Sequence, residues 1–434
     1  MTASEPPAAA SPPASGFASS AAAFPQVQGR APRVLYVVSL FPCWSETFIV
    51  REITTLVASG VDVRILSLKA AHEKMVQPDA ERLLPRARHP LPRARAVPAR
   101  LRALAAHPGT LALHVAQIVR RLAGRPVDLA KSLEALARAV EQLDWIAEFD
   151  PDFIHAHWGT FPSTVAWTLS RLLDKPFGFT CHAHDIFVNN HLLKEKIESA
   201  AVPVTISRFN VDWLATHATA AARERLHVIH CGVDLTTLPF RAGRPRGDDA
   251  TILTVGRLDP IKGFDVLVDA LGELARQGRR VRCRIIGSGP LEGDLRTRIA
   301  RHGITDTVEL AGAMPQADVR TALYNASIFV LPSVVTATGD RDGIPVSLME
   351  AMAAGTPVVS TRVSGIPELV EDGREGLLVP ERDPVALAAA LARLIDDPDL
   401  GDRMAVAARA KVEREFDATV EARKLLELLA RVRA

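Results

Sequence analysis

The chain has 434 residues, 48% of them hydrophobic, which is enough for two domains that each bury a core. Its 52 basic residues nearly balance 50 acidic ones, leaving a formal net charge of +2, so the total gives no sign of nucleic-acid binding. Cys43, Cys181, Cys231 and Cys283 are widely spaced with no Cys-x-x-Cys pair, which suits a reducing cytoplasm and argues against a disulfide frame or a zinc site. No uncharged apolar run reaches the ~18 residues of a spanning helix.

Residues 1–31 are mostly Ala, Pro and Ser and read as a disordered tail rather than a signal peptide. Order is expected from Arg33. Val34-Leu35-Tyr36-Val37-Val38 has the β-branched, continuously apolar character of a buried parallel strand. A helical pattern follows through Glu52, Leu56 and Val57 to Gly60, then a strand from Val61 to Leu68. In such βαβ units ligands sit beyond the carboxyl ends of the strands, which makes Ser45, Glu46 and Thr47 candidates for ligand contact. A helix cap by Ser45, with Glu46 favouring the helix dipole, accounts for the same residues.

From Arg82 to Arg125 there are ten arginines and no Asp or Glu, and Leu101 to Leu122 looks helical. This is either a solvated basic face or a patch that meets anionic lipid. Two further strands end in His-x-His, at His155-Ala156-His157 and at His182-Ala183-His184, the second followed by Asp185. On an extended segment such a pair shares one face, so a metal-dependent hydrolase built on these four histidines stays open. Val202 to Ser207 is another strand, with Arg208 at its end where it could meet an anion. Residues 241–250 are a linker by composition.

A second domain is expected over 251–416. Its first strand ends at Gly256, and Arg257 and Lys262 then bring two cations near a helix start. A forked guanidinium beside a point charge suits a diphosphate, although solvated loop cations look the same. Val281 to Ile286 is a strand running into Gly287-Ser288-Gly289-Pro290. Asp342-Gly343-Ile344-Pro345-Val346-Ser347-Leu348-Met349-Glu350 leads into a helix from Val346 to Ala354, stopped by Gly355. Pro345 suits the first helical position, Gly343 allows a close approach, and the first-turn N–H groups attract anions. With carboxylates on either side for hydroxyls, this is a cradle for a sugar nucleotide or an ordinary loop-to-helix junction.

The Asp342–Glu350 segment resembles the acid-x7-Glu motif of retaining glycosyltransferases of family 4. Gly256-Arg257-x4-Lys262-Gly263, Thr180-Cys181-His182-Ala183, Ala353 to Ser360 and Ser364 to Glu368 are similar to that family too. Phe41-Pro42-x-x-Ser45-Glu46-Thr47-Phe48 resembles a branch associated with exopolysaccharide assembly, in place of the Gly-Gly loop of many relatives. The resemblance runs from Arg33 onward and implies an α/β chain with the GT-B fold. Two Rossmann-like domains would face across a cleft, acceptor side over 32–240 and donor side over 251–416, with 417–434 a helix crossing back.

The implied donor is a UDP- or GDP-sugar. Arg257 and Lys262 would meet its diphosphate, near Gly256 and Gly287. Met314 lies where relatives read the base, largely through backbone. Backbone of Gly343, Ile344, Pro345 and Val346 would hold phosphate and sugar, Asp342 a sugar hydroxyl, and Glu350 the ribose. His182 would face the sugar from the other domain, and Ser45, Glu46, Thr47, His184, Asp185 and Arg208 would lie on the acceptor side. The implied acceptor is a glycan or an undecaprenyl-diphosphate-linked sugar, met in the cytoplasm or at the inner membrane face through Arg82–Arg125. No cofactor or metal is expected. One departure is Asp342 where the family usually has Glu, which keeps a catalytically silent nucleotide-sugar binder open.

Overall fold

The computed structural model describes residues 30–43, 46–69, 76–241, 243 and 250–432. The expected tail up to residue 29, Ser45 and most of the expected linker therefore lie outside the described residues.

Two all-parallel sheets organise the chain. The first holds β1 (Arg33–Val38), β2 (Asp62–Ser67), β3 (Ala87–Arg88), β4 (Phe153–His157), β5 (Phe177–Cys181), β6 (Val202–Thr205) and β7 (His227–Val228), in the order β3-β2-β1-β4-β5-β6-β7. The second holds β8 (Ala250–Val255), β9 (Val281–Ile286), β10 (Val308–Gly312), β11 (Ile328–Leu331), β12 (Val358–Thr361) and β13 (Leu377–Val379), in the order β10-β9-β8-β11-β12-β13. Helices cover both faces of each sheet, so the central strands β4 and β11 are buried at every position. In each sheet the strand order reverses beside the first strand of the lobe, between β1 and β4 and between β8 and β11. Crevices open beyond the carboxyl ends at such points, and this sets where ligands can sit.

Three apolar cores follow from this layout: one in the second lobe and one on either side of the first sheet. The last helix, Ala418–Arg431, belongs to the first lobe by packing. Its Leu425, Leu426 and Leu429 join Ile49, Val50 and Ile53 of the Thr47–Ala58 helix in one core. Asp417 caps it, accepting the Thr419 N–H at 2.7 Å.

Three local expectations change. Leu101–Leu122 is two helices, Arg93–Ala106 and Pro108–Leu122. Pro108 disfavours helical backbone at His107 and starts the second helix, where its missing N–H costs nothing. Pro345 is the cap residue rather than the first helical one, with ψ 126° and the helix running over Val346–Ala354. The second His-x-His does not lie on a strand, because β5 ends at Cys181 and His184 opens a short helical turn. No helix among the described residues is long and apolar enough to cross a membrane.

Candidate active site

The second lobe brings its charges together at the carboxyl ends of β8 and β11. Gly287 sits at φ +145°, and a Cβ there would lie 1.9 Å from the Gly256 carbonyl oxygen, so these two strand-end turns can touch only without side chains. Lys262 Nζ meets Asp342 Oδ1 at 2.7 Å, and the Ser333 hydroxyl donates to Asp342 Oδ2 at 2.6 Å. Both oxygens of this buried carboxylate are thus held in place. Arg257 pairs with Asp259 at 2.5 Å and keeps its guanidinium largely in solvent. The Ile344 side chain is buried, and Met314 and Val346 pack against the second core, so these residues can offer a ligand mainly backbone.

The first lobe presents a different wall. His157 ends β4 and His182 follows β5, and the two rings stack with centroids 5.5 Å apart and Nδ1 of His157 3.2 Å from Nε2 of His182. Phe48 and Trp158 pack on His182 at centroid distances of 4.8 and 4.6 Å. Behind them Glu52 accepts from the Tyr36 hydroxyl at 2.7 Å and from His157 Nε2 at 3.0 Å. Burial alone would raise the Glu52 carboxyl, yet the His157 and His155 rings and the Tyr36 hydroxyl hold it down to about 2. His182 is pushed well below the usual imidazole range, first by burial and then by the His157 and His155 rings, with Glu52 opposing. It stays neutral.

Asp185 does not touch the His182 ring. Its carboxylate accepts the His182 backbone N–H at 2.9 Å and the Gly159 N–H at 2.6 Å, tying the loops after β4 and β5 together. The buried Lys196 completes that tie by donating to the carbonyls of Gly159 and Thr160 at 2.8 and 2.6 Å. Trp158, between these anchors, is held at φ +80°, a strained setting for a bulky residue.

Several contacts among the described residues join the walls. Arg51 reaches across to Glu350 at 2.7 Å, and Gln316 shares the same carboxylate oxygen at 3.1 Å. Glu368 accepts the backbone N–H groups of Arg208 and Phe209 at 2.9 and 2.7 Å, capping a first-lobe helix from the second lobe. His184 meets Asp340 at 3.1 Å, and Arg341 lies over the Phe187 ring at 4.6 Å. Gly343 stands at this seam, where a Cβ would be 2.7 Å from Ile206 Cδ1 and 3.6 Å from the His182 carbonyl oxygen.

Lys262, Asp342, Gly343 and His182 therefore converge on one cleft, whereas several other expected placements differ. Glu350 is engaged by Arg51 and Gln316. Glu46 accepts the Trp158 indole N–H at 3.1 Å, and Thr47 is simply the first helical residue. His184 is half exposed and turned to Asp340, so the four histidines do not form one group. Among the described residues, the cluster with metal-ligand spacing is Glu52, His155 and His157, their donor atoms within 4.8 Å of one another. Its histidines are buried and Glu52 partly so; Glu52 is hydrogen-bonded to His157 and Tyr36, and His155 to Thr180 through Nε2, while His155 Nδ1 has no partner. Sequence reasoning passed over Arg51, Glu52, Trp158, Ser333 and Glu368. A signal existed for Glu52, an acid on the helix face of the buried Ile49, Ile53 and Leu56.

Two parallel α/β lobes with facing strand ends define the GT-B class of folds. A solved structure of Anabaena Alr3699/HepE in complex with UDP-glucose shares it, with a TM-score of 0.67 at 18% identity, covering 92% of this chain and 99% of that one. Residues 45–237 match the family described as Glycosyltransferase Family 4, and residues 249–397 match Glycosyl transferases group 1. The putative colanic acid biosynthesis glycosyltransferase WcaL of Escherichia coli is 45% identical over 209 residues, 48% of this chain and 51% of the relative. Phosphatidyl-myo-inositol mannosyltransferase of Mycobacterium leprae is 31% identical over 290 residues, 65% of this chain and 74% of the relative. The chain belongs to glycosyltransferase family 4. It spans about half the length of the WcaL-type relatives it matches.

Proposed function

We propose that the chain moves a hexosyl group from a UDP- or GDP-sugar to a hydroxyl of a glycan or undecaprenyl-diphosphate-linked acceptor, with retention at the anomeric carbon, in cell-surface polysaccharide assembly. One observation carries this reading: Lys262 and Asp342 meet beside the turn that opens the Val346–Ala354 helix, where a Cβ on the neighbouring Gly343 would lie 3.6 Å from the His182 carbonyl oxygen. A diphosphate arriving there finds an ammonium already positioned, Arg257 free to swing in from solvent, and the helix N-terminus behind it. As the bond from C1 to the diphosphate oxygen breaks, these cations stabilise the growing negative charge. The acceptor oxygen bonds to C1 on the same face, and its proton passes to the departing phosphate oxygen. Asp342 takes a sugar hydroxyl, and Glu350 takes the ribose once Arg51 yields. The names of the relatives, colanic acid assembly and a UDP-glucose complex among them, support the donor and the pathway class.

The acceptor side meets the inner membrane surface in this reading. Among the described residues, ten large apolar side chains stand exposed, and eight fall between Val76 and Val127, interleaved with the arginines. Val97, Leu101 and Leu104 form one helix stripe, and Leu113 faces solvent on the next helix. Several arginines are already paired, Arg100 with Glu141 and Arg121 with Glu195 among them, so apolar insertion carries part of the attraction.

The test is release of UDP or GDP from a panel of nucleotide sugars with a lipid-diphosphate acceptor, followed by the anomeric configuration of the product by NMR. One donor should turn over with retention. Inversion, or no release with any donor while UDP and GDP still bind, would favour a different mechanism or the silent binder. Sedimentation with phosphatidylglycerol vesicles should be lost in Leu101→Ser/Leu113→Ser, and equal binding to phosphatidylcholine would tell against the charged-surface reading.

A further inference from the structure

The buried polar chain behind His182 runs Tyr36, Glu52, His157, His182, and no member beyond His182 has a part in the transfer described above. Its hydrogen bonds admit a definite proton order. A carboxylate has only lone pairs to offer, so the His157 Nε2 that lies 3.0 Å from Glu52 carries the proton. When that ring carries a single proton, the other nitrogen, Nδ1, is bare and accepts from His182 Nε2 at 3.2 Å. His182 Nε2 must carry its own proton, which leaves His182 Nδ1 bare. That atom is turned toward Cys231, 3.8 Å away, whose thiol lines the recess shared by Arg51, His182 and Gly232. Burial pushes the Cys231 thiol up, so it remains S–H and is a donor suited to a bare nitrogen.

We infer that Glu52 is a positioning residue for the transfer: acting through His157, it fixes His182 as the Nε2–H tautomer, so that Nδ1 keeps the lone pair that meets the Cys231 thiol and that a hydroxyl of the bound sugar takes over from it. This rests on the reading of His182 as the first-lobe residue facing the sugar. Glu52 acts without touching substrate, since His157 stands between it and His182. Both hydrogen bonds to Glu52 converge on one oxygen, which a glutamine carbonyl can replace. Charge and proton order can therefore be separated by mutation.

The experiment uses the full chain labelled with nitrogen-15 histidine. Imidazole spectra at neutral pH report which ring nitrogen of His182 and of His157 is protonated, the resonances being assigned with His182→Asn and His157→Asn. The wild type should show Nε2–H on both rings, Glu52→Gln should keep that pattern, and Glu52→Ala should mix the tautomers. Turnover of the accepted donor should fall about tenfold in Glu52→Ala, recover to near wild type in Glu52→Gln, and leave UDP or GDP binding unchanged. A wild-type His182 with its proton on Nδ1 overturns the inference, even if Glu52→Ala fails to fold. Unchanged tautomers and turnover in a folded Glu52→Ala overturn it as well. The ring spectra need no substrate, so absence of turnover with every donor would count against the transferase reading without touching the tautomer result.

Discussion

The two walls of the cleft solve opposite problems. On the second lobe, Lys262, Asp342 and Arg257 are charged groups held in pairs, Arg257 in solvent and Asp342 buried, with Ser333 bracing the carboxylate. On the first lobe, His155, His157 and His182 are buried, and His182 is kept neutral within a shell of Phe48 and Trp158. A diphosphate needs charge that is already oriented before it arrives, since reorganising charge during the reaction is costly. A sugar needs fixed, neutral hydrogen-bond partners, since an ionised group there would pay heavily for desolvation. Binding strength should therefore reside on one wall and sugar discrimination on the other.

Lys262→Ala should break this division hardest. It removes the positioned cation and leaves Asp342 with Ser333 alone, so kcat/KM should fall by about 10²–10³, read from nucleoside diphosphate release. Arg51→Ala comes next. It strips the cation from Glu350, a carboxylate with little exposure, and should lower unfolding stability by about 2 kcal/mol in urea while widening the cleft in small-angle scattering. Unchanged stability and shape would mean that the lobes close without this pair.

The neutral wall has its own pH signature. Burial depresses the His155 ring from 6.5 to about 3, so between these values the unfolded chain binds a proton that the folded chain does not. The contribution is complete above pH 6.5 and is lost as pH falls toward 3. At pH 5.5 that amounts to about 1 kcal/mol for the ring, and His155→Asn should reduce the wild-type difference between pH 7.5 and 5.5 by a similar amount. Glu52 adds nothing in this window, because its depressed carboxyl loses its contribution only as pH falls from 4.5 to about 2. The smallest effect belongs to His184→Ala, whose half-exposed pair with Asp340 should be worth within ~0.5 kcal/mol and leave turnover intact. A large loss of turnover there would revive the histidine-centred hydrolase.

How far the sequence could be read follows the same division. The charged wall is built from short stretches, such as Gly256 to Gly263 and Asp342 to Glu350, in which a turn, a cation and a helix start are neighbours along the chain. Such local chemistry is visible in residue order. The neutral wall is assembled from Glu52 on the Thr47–Ala58 helix after β1, His157 at the end of β4 and His182 just past β5, which meet only when those three strands align in the sheet. Residue order showed the histidines but not their partners. The Arg51–Glu350 pair joins residues 299 positions apart, which no local pattern encodes. The break at His107–Pro108 was legible in principle, since proline restricts the residue before it, but the apolar spacing on either side obscured it.

The most direct test of the division is calorimetric binding of UDP and GDP to the wild type beside Lys262→Ala and His182→Ala, with turnover measured on the same preparations. Nucleotide binding should be lost in Lys262→Ala and unchanged in His182→Ala, while turnover falls in both. Equal weakening of nucleotide binding by the two substitutions would contradict it, because the neutral wall would then be holding the diphosphate.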